Sequence, residues 1–232
     1  MSESKKIVIT GGSKGIGRAL SRKFIEEGHE VFVISRNQEL LLSIKDQLAT
    51  DKFRYAPLDL AREEDFENIH DYIYDWDRID VIYNNAGLLI KKPFLELQRK
   101  DYLDSWIVNF FAPVMLIKSL FSKLHSDSHI VNISTMGAVQ GSVKFPELTA
   151  YSTSKSALIN LGEMLAAEFG AEGPKINSVA LGAVQTEMLE KAFPGYEAVI
   201  NPEQISDFFY NFGLNGHKFM NGKIIPCSLS TP

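Results

Sequence analysis

The strongest constraint on this chain is a rhythm: short, continuously apolar runs alternate with amphipathic segments along most of its length. Ile7-Val8-Ile9 reads as a buried strand. Residues 15–27 follow as a helix with Ile16, Ala19, Leu20 and Phe24 on one face. Further strands are expected at 31–34, 53–56, 81–83, 130–133, 176–180 and 223–226, with helices at 39–48, 63–75, 101–124, 151–169 and 202–212. Strands apolar on both faces need cover on both faces. The expected fold is therefore α/β, a parallel sheet with helices packed on either side.

The totals narrow the function classes. A chain of 232 residues with 45% hydrophobic content fits one large domain better than two, so 1–232 is expected to fold as a single unit. A net charge of -5 gives no general attraction to nucleic acid or to an anionic membrane. The single Cys227 excludes an intrachain disulfide and a cysteine-rich metal site. The opening residues lack the apolar core of a signal peptide, and the longest apolar run, 106–117, is interrupted by Asn109 and too short to span a bilayer. A cytoplasmic protein is expected. His125 and His129 straddle a helix end and a strand start, which makes no metal pair, and Asn132-Ile133-Ser134 falls on a buried strand rather than at a glycosylation site.

Two helices carry more apolar surface than one sheet can cover. Segment 101–124 has Trp106, Ile107, Phe110, Phe111, Met115, Leu116 and Leu120 around its circumference, and 151–169 has Leu158, Ile159, Leu161, Met164 and Leu165. Either core packing absorbs both, or helices 102–124 and 151–169 form the interface of a homodimer or homotetramer.

The chemistry begins at Thr10-Gly-Gly-Ser-Lys-Gly-Ile-Gly17, between an apolar strand and a helix. Glycines 11, 15 and 17 allow a tight turn and a close backbone approach to a pyrophosphate at the positive helix end. Gly11, Ser13, Lys14, Gly15, Ile16 and Gly17 are thus candidate cofactor contacts. The second strand ends in Ser35-Arg36, where an NAD site usually has a carboxylate. Arg36, with Lys14, would bind a 2′-phosphate, so NADP(H) is expected over NAD. Tyr151 and Lys155 are four apart on one helix face. An ammonium there would pull the phenol down towards the working pH and make Tyr151 a general acid/base. Pro113 cannot donate to the carbonyl of Asn109 and its ring pushes that carbonyl aside, which predicts a bent helix and a free acceptor for a water-mediated proton relay to Lys155.

Together, Thr10-Gly-x-x-x-Gly-Ile-Gly17, Asn84-Asn85-Ala86-Gly87 and Tyr151-x-x-x-Lys155 resemble the short-chain dehydrogenase/reductase family in its compact single-domain branch. The match covers nearly the whole chain, with the motifs in family order. The resemblance implies a Rossmann-type doubly wound sheet of about seven strands, and hydride transfer between NADP(H) and a small carbonyl or alcohol substrate. It puts Asp59 and Leu60 near the adenine and Asn85, Ala86 and Gly87 beside a ribose. It gives Lys155 the nicotinamide ribose, Asn109 the active-site asparagine's role, and Val184 and Thr186 the carboxamide.

The chain departs from the family pattern in several places. The orienting serine after strand five corresponds to Thr135, whose hydroxyl can still donate but whose methyl crowds the site, with Ser134 as the neighbouring alternative. Leu181-Gly182 stands for the usual Pro-Gly. Extra residues around 140–148 are expected to shape the pocket. The segment between Thr186 and Pro202 is short for a lid, so the pocket is expected to be open, with Phe193, Pro194 and Tyr196 as its wall. Those departures keep open a cofactor-sensing or protein-binding member of the same fold without efficient catalysis, and an isomerase or dehydratase. Pocket walls decide the substrate, and the motifs leave it open.

Overall fold

The computed structural model describes residues 3–229. Seven parallel strands form one sheet in the order β3-β2-β1-β4-β5-β6-β7. They are β1 Lys6–Thr10, β2 Glu30–Ile34, β3 Phe53–Ala56, β4 Val81–Asn84, β5 His129–Thr135, β6 Lys175–Leu181 and β7 Lys223–Cys227. Alternate side chains of each strand enter different cores. Ile7 and Ile9 pack with Leu20, Phe24 and Phe209 on one face. Val8 packs with Phe32, Ile82, Leu116 and Ile130 on the other. This is the physical content of the two-sided apolar strands, and it gives the expected doubly wound architecture.

Helices α1 Gly15–Glu26, α2 Gln38–Leu48 and α8 Pro202–Asn215 cover the first face. Asn37 caps α2 through its side chain, and Asn201 with Gln204 forms a capping box at the start of α8. The helix expected at 63–75 is not continuous. Instead, a 3-10 turn at Glu63–Phe66 precedes a single α-helical turn, α3, at Ile69–Tyr72. Its apolar residues Phe66, Ile69, Ile73 and Trp76 are buried as the periodicity required. However, Glu63, Glu67, Asp71 and Asp75 would put four like charges at successive i,i+4 positions of a regular helix. The Asp65 carboxylate is also drawn back to accept from the Asp59 backbone N–H at 2.7 Å.

The other face is built by the long apolar helices. α4 Arg99–Trp106 leads into a widened π-helical turn, Ile107–Phe111, and then α5 Ala112–Leu120. The widening ends two residues before Pro113, which removes the N–H that would have continued the regular ladder to Asn109. The run Arg99–Lys123 is long and apolar enough to cross a membrane by length and composition. Here it is a wall of the domain, with Leu116, Ile117 and Leu120 buried against the sheet. The last helices are α6 Thr149–Phe169 and α7 Glu187–Ala192.

Candidate functional site

The strand order reverses between β1 and β4, so the loops after them diverge and leave a crevice at the strand ends. Thr10 holds the two loops together. Its Oγ1 donates to the Tyr83 carbonyl at 3.2 Å and accepts from the N–H groups of Asn85 and Ala86 at 3.1 and 3.0 Å. Asn85 returns the tie, its Nδ2 donating to the Thr10 and Gly11 carbonyls at 2.8 and 3.2 Å. Asn84 points elsewhere, into a buried bond with Asn132.

The crevice opens into a cleft of about 390 Å³. At one end lie Gly11, Lys14, Gly15 and Ile16, facing Arg36, Asp59 and Leu60. Gly11 has φ +69° and Gly15 φ +49°, a conformation suited to glycine. A Cβ on Gly11 would stand 2.8 Å from the Ala86 Cα, so the two loops can approach only because it is absent. Gly17 does not line the cleft. It is a packing residue, because a Cβ there would meet Asn85 Nδ2 at 2.5 Å and the Gly11 carbonyl at 2.7 Å. Ser13 is also turned inward, its hydroxyl 2.8 Å from that of Ser35. The side chains of Lys14 and Arg36 are exposed and have no hydrogen-bond or ion-pair partner among the described residues. A glycine cradle at the start of α1 with two unpaired cations beside it fits a phosphorylated dinucleotide.

At the other end α6 delivers Tyr151 and Lys155, and β5 delivers Ser134 and Thr135. Lys155 is buried and donates from Nζ to the Ile133 carbonyl at 2.8 Å. Burial pushes its ammonium down to about 8. Burial likewise pushes the Tyr151 phenol up to about 12, which reverses the lowering expected from the Tyr-Lys spacing. Desolvation penalises the charge on each, and the ammonium's proton is turned to a backbone carbonyl. Ser134 Oγ donates to the Lys155 carbonyl at 3.2 Å, whereas the Thr135 hydroxyl has no partner among the described residues.

Asn109 is fully buried behind the cleft. Its Oδ1 accepts from the Leu88 N–H at 2.7 Å, and its Nδ2 donates to the Leu88 carbonyl and to Ser154 Oγ, both at 2.9 Å. The widened turn thereby clamps the loop after β4 to α6. Gly87 lies beside this clamp, where a Cβ would stand 3.4 Å from Asn109 Oδ1 and 3.6 Å from Lys155 Nζ.

The remaining wall is apolar. Leu88, Leu89, Val108, Leu181 and Val184 line it, with Phe145 and Leu148 from the 140–148 segment. Thr186 lines the cleft and also caps α7, accepting from the Leu189 N–H at 3.2 Å. The cap starts a helix the sequence reading missed, although Thr186-Glu187 before Leu189 is a readable start signal. Met188, Leu189 and Phe193 join the lining, so the segment after Thr186 supplies part of the wall at this end, and Pro194 and Tyr196 stand outside it.

Known proteins are similar to this chain in sequence and fold. The model of the short chain dehydrogenase family matches residues 5–197. An L-2,3-butanediol dehydrogenase of Corynebacterium glutamicum is 32% identical over 196 residues, covering 81% of this chain and 75% of that protein. A fatty acyl-CoA reductase of Mycobacterium tuberculosis is 31% identical over 211 residues, covering 86% and 70%. The solved structure of ElxO with NADP bound superposes with a TM-score of 0.84 at 26% identity, covering 97% of this chain and 98% of that one. Glycine turn, Asn-Asn-Ala-Gly loop and Tyr-x-x-x-Lys helix thus converge on one cleft in a seven-stranded doubly wound sheet, and this chain belongs to the short-chain dehydrogenase/reductase family of oxidoreductases.

Proposed function

We propose that the protein is a cytoplasmic, single-domain NADP(H)-dependent oxidoreductase that interconverts a small carbonyl compound and its alcohol. The observation that carries this reading is the common cleft, which joins a phenol and a buried lysine at one end to a glycine cradle with two free cations at the other. When bound, the nicotinamide supplies the hydride for reduction or accepts it for oxidation.

Lys14 and Arg36 would hold the 2′-phosphate, and Gly11, Gly15 and Ile16 would admit the pyrophosphate to the start of α1. Asp59 and Leu60 would flank the adenine, Asn85, Ala86 and Gly87 a ribose, and Val184 and Thr186 the carboxamide. During reduction, as the carbonyl carbon receives the hydride, Tyr151 gives its proton to the carbonyl oxygen. Burial keeps the phenol protonated, so Tyr151 holds the proton to be donated. Thr135 donates a hydrogen bond to the same oxygen, because its hydroxyl is free while that of Ser134 is engaged with the Lys155 carbonyl. Lys155, whose ammonium is still mostly protonated at neutral pH, stabilises the developing tyrosinate, and the carbonyl of Asn109 completes a water-mediated route for the returning proton.

The apolar wall favours an uncharged carbonyl compound. The relative named for butanediol chemistry is consistent with that class. Replacing Tyr151 with Phe should leave NADPH binding, read by nicotinamide fluorescence, within about twofold and lower turnover of a ketone and aldehyde panel by about a thousandfold or more. Residual turnover near the wild-type rate would remove Tyr151 from the mechanism. NADPH binding without oxidation by any carbonyl would mark a sensor instead.

A further inference from the structure

Three segments line the proposed substrate end, and one side chain joins them. The loop after β4 brings Leu88 and Leu89 to the cleft, the 140–148 segment brings Phe145 and Leu148, and the end of α7 brings Leu189 and Phe193. Lys91 extends from the first segment to both others. Its Nζ donates to the Ala192 carbonyl at the end of α7 at 2.9 Å and lies 4.4 Å from the Phe193 ring centroid. The same ammonium is 3.5 Å from the Glu147 carboxylate, next to the cleft residue Leu148.

The backbone repeats this link. The N–H of Lys92 donates to the Glu147 carbonyl at 3.0 Å. Glu147 has φ +68°, a left-handed conformation that a glutamate keeps only where its surroundings hold it. A solvated surface lysine would satisfy none of these contacts in particular. Here a carbonyl, a carboxylate and an aromatic face converge on one ammonium, whose side chain is 31% exposed.

We propose that Lys91 is a positioning residue that fastens α7 and the 140–148 segment over the substrate end, closing the apolar wall around an uncharged carbonyl compound. With its ammonium shared between Glu147, Ala192 and Phe193, it offers no free cation to an anionic substrate. The contribution to substrate handling rests on the carbonyl-reductase reading; the latch itself does not.

The test is amide hydrogen exchange on the full chain, comparing wild type with Lys91→Met and Lys91→Arg. Met keeps the stem but loses the ammonium, so exchange should rise about tenfold in 140–148 and 187–193 while β5 and β6 stay unchanged. Arg can donate to the carbonyl and pair with Glu147, and should return both segments to within about twofold of wild type. Unchanged exchange in either segment overturns the latch. A rise spread equally through β5 and β6 also overturns it, because that is general destabilisation. With NADPH and whichever uncharged ketone of the panel the wild type reduces fastest, Lys91→Met should raise KM about tenfold, leaving kcat within about twofold and NADPH binding unchanged. An unchanged KM removes the role in substrate handling. If the wild type reduces no carbonyl, the reductase reading fails, and the exchange measurement still decides the latch.

Discussion

Tyr151 and Lys155 stand one helical turn apart, and burial disfavours the charge on each. For Lys155 the folded value of about 8 lies below the unfolded value near 10.5, so the unfolded chain binds more protons between those limits. Stability therefore rises with pH through that window, and the full burial penalty is carried below pH 8. Lys155→Met lacks that titration, so wild type should gain about 3 kcal/mol on the variant between pH 7 and pH 10.5 in denaturant titrations. A constant difference between the two proteins would show that Lys155 is not desolvated. The hydroxyl pair on β5 separates by partner. Thr135→Ala should lower kcat/KM about a hundredfold and Thr135→Ser should restore it, whereas Ser134→Ala should lower stability by about 1 kcal/mol with a smaller effect on turnover. The opposite ranking in steady-state assays of the folded variants would exchange their roles. Sequence reading identified both positions. Which hydroxyl is free depended on where α6 presents the Lys155 carbonyl, a contact across 21 residues of chain.

Among the elements, the widened turn has the most consequence for the site. Pro113 made a break near Asn109 legible, because a missing N–H is a property of one residue. That the Asn109 side chain would bind Leu88 on both backbone groups, and Ser154 as well, was not legible, since the partners come from β4's loop and α6. Asn109→Ala leaves the part-buried N–H and carbonyl of Leu88 without this partner, and should destabilise by about 1–3 kcal/mol and uncouple Gly87 from α6. Thermal unfolding checks the first expectation, and loss of turnover in the folded fraction the second. Full stability in Asn109→Ala would show that the clamp is dispensable. Segment 63–75 teaches the converse. Its apolar spacing correctly indicated what is buried, but like charges at successive turns and the Asp65 tie prevented a regular helix.

On the scale of the whole molecule, the two over-apolar helices are only partly absorbed by the core. Leu103, Phe111, Phe121 and Met164 remain 47%, 50%, 44% and 60% exposed, all on α4 to α6 or the turns between them. Core packing takes Leu116, Leu120, Leu158 and Ile159 and leaves this remainder. We infer that it is the surface of a homodimer or homotetramer, as the helix compositions suggested. Phe111→Glu combined with Met164→Glu should then give monomers in sedimentation velocity, with the far-ultraviolet spectrum of wild type. An unchanged mass would place any assembly on another face.

By itself, the sequence determined the parallel sheet, the glycine cradle and the tyrosine-lysine pair, because each follows from periodicity or from residues only a few positions apart. The tertiary structure alone decided the direction of the Tyr151 shift, the free hydroxyl at Thr135, the share of the cleft wall made by α7 and the meeting of Lys91 with Glu147 and Ala192. These depend on burial and on which distant backbone group faces a side chain. Desolvation and hydrogen-bond partnership are properties of the packed surroundings, which local spacing does not encode.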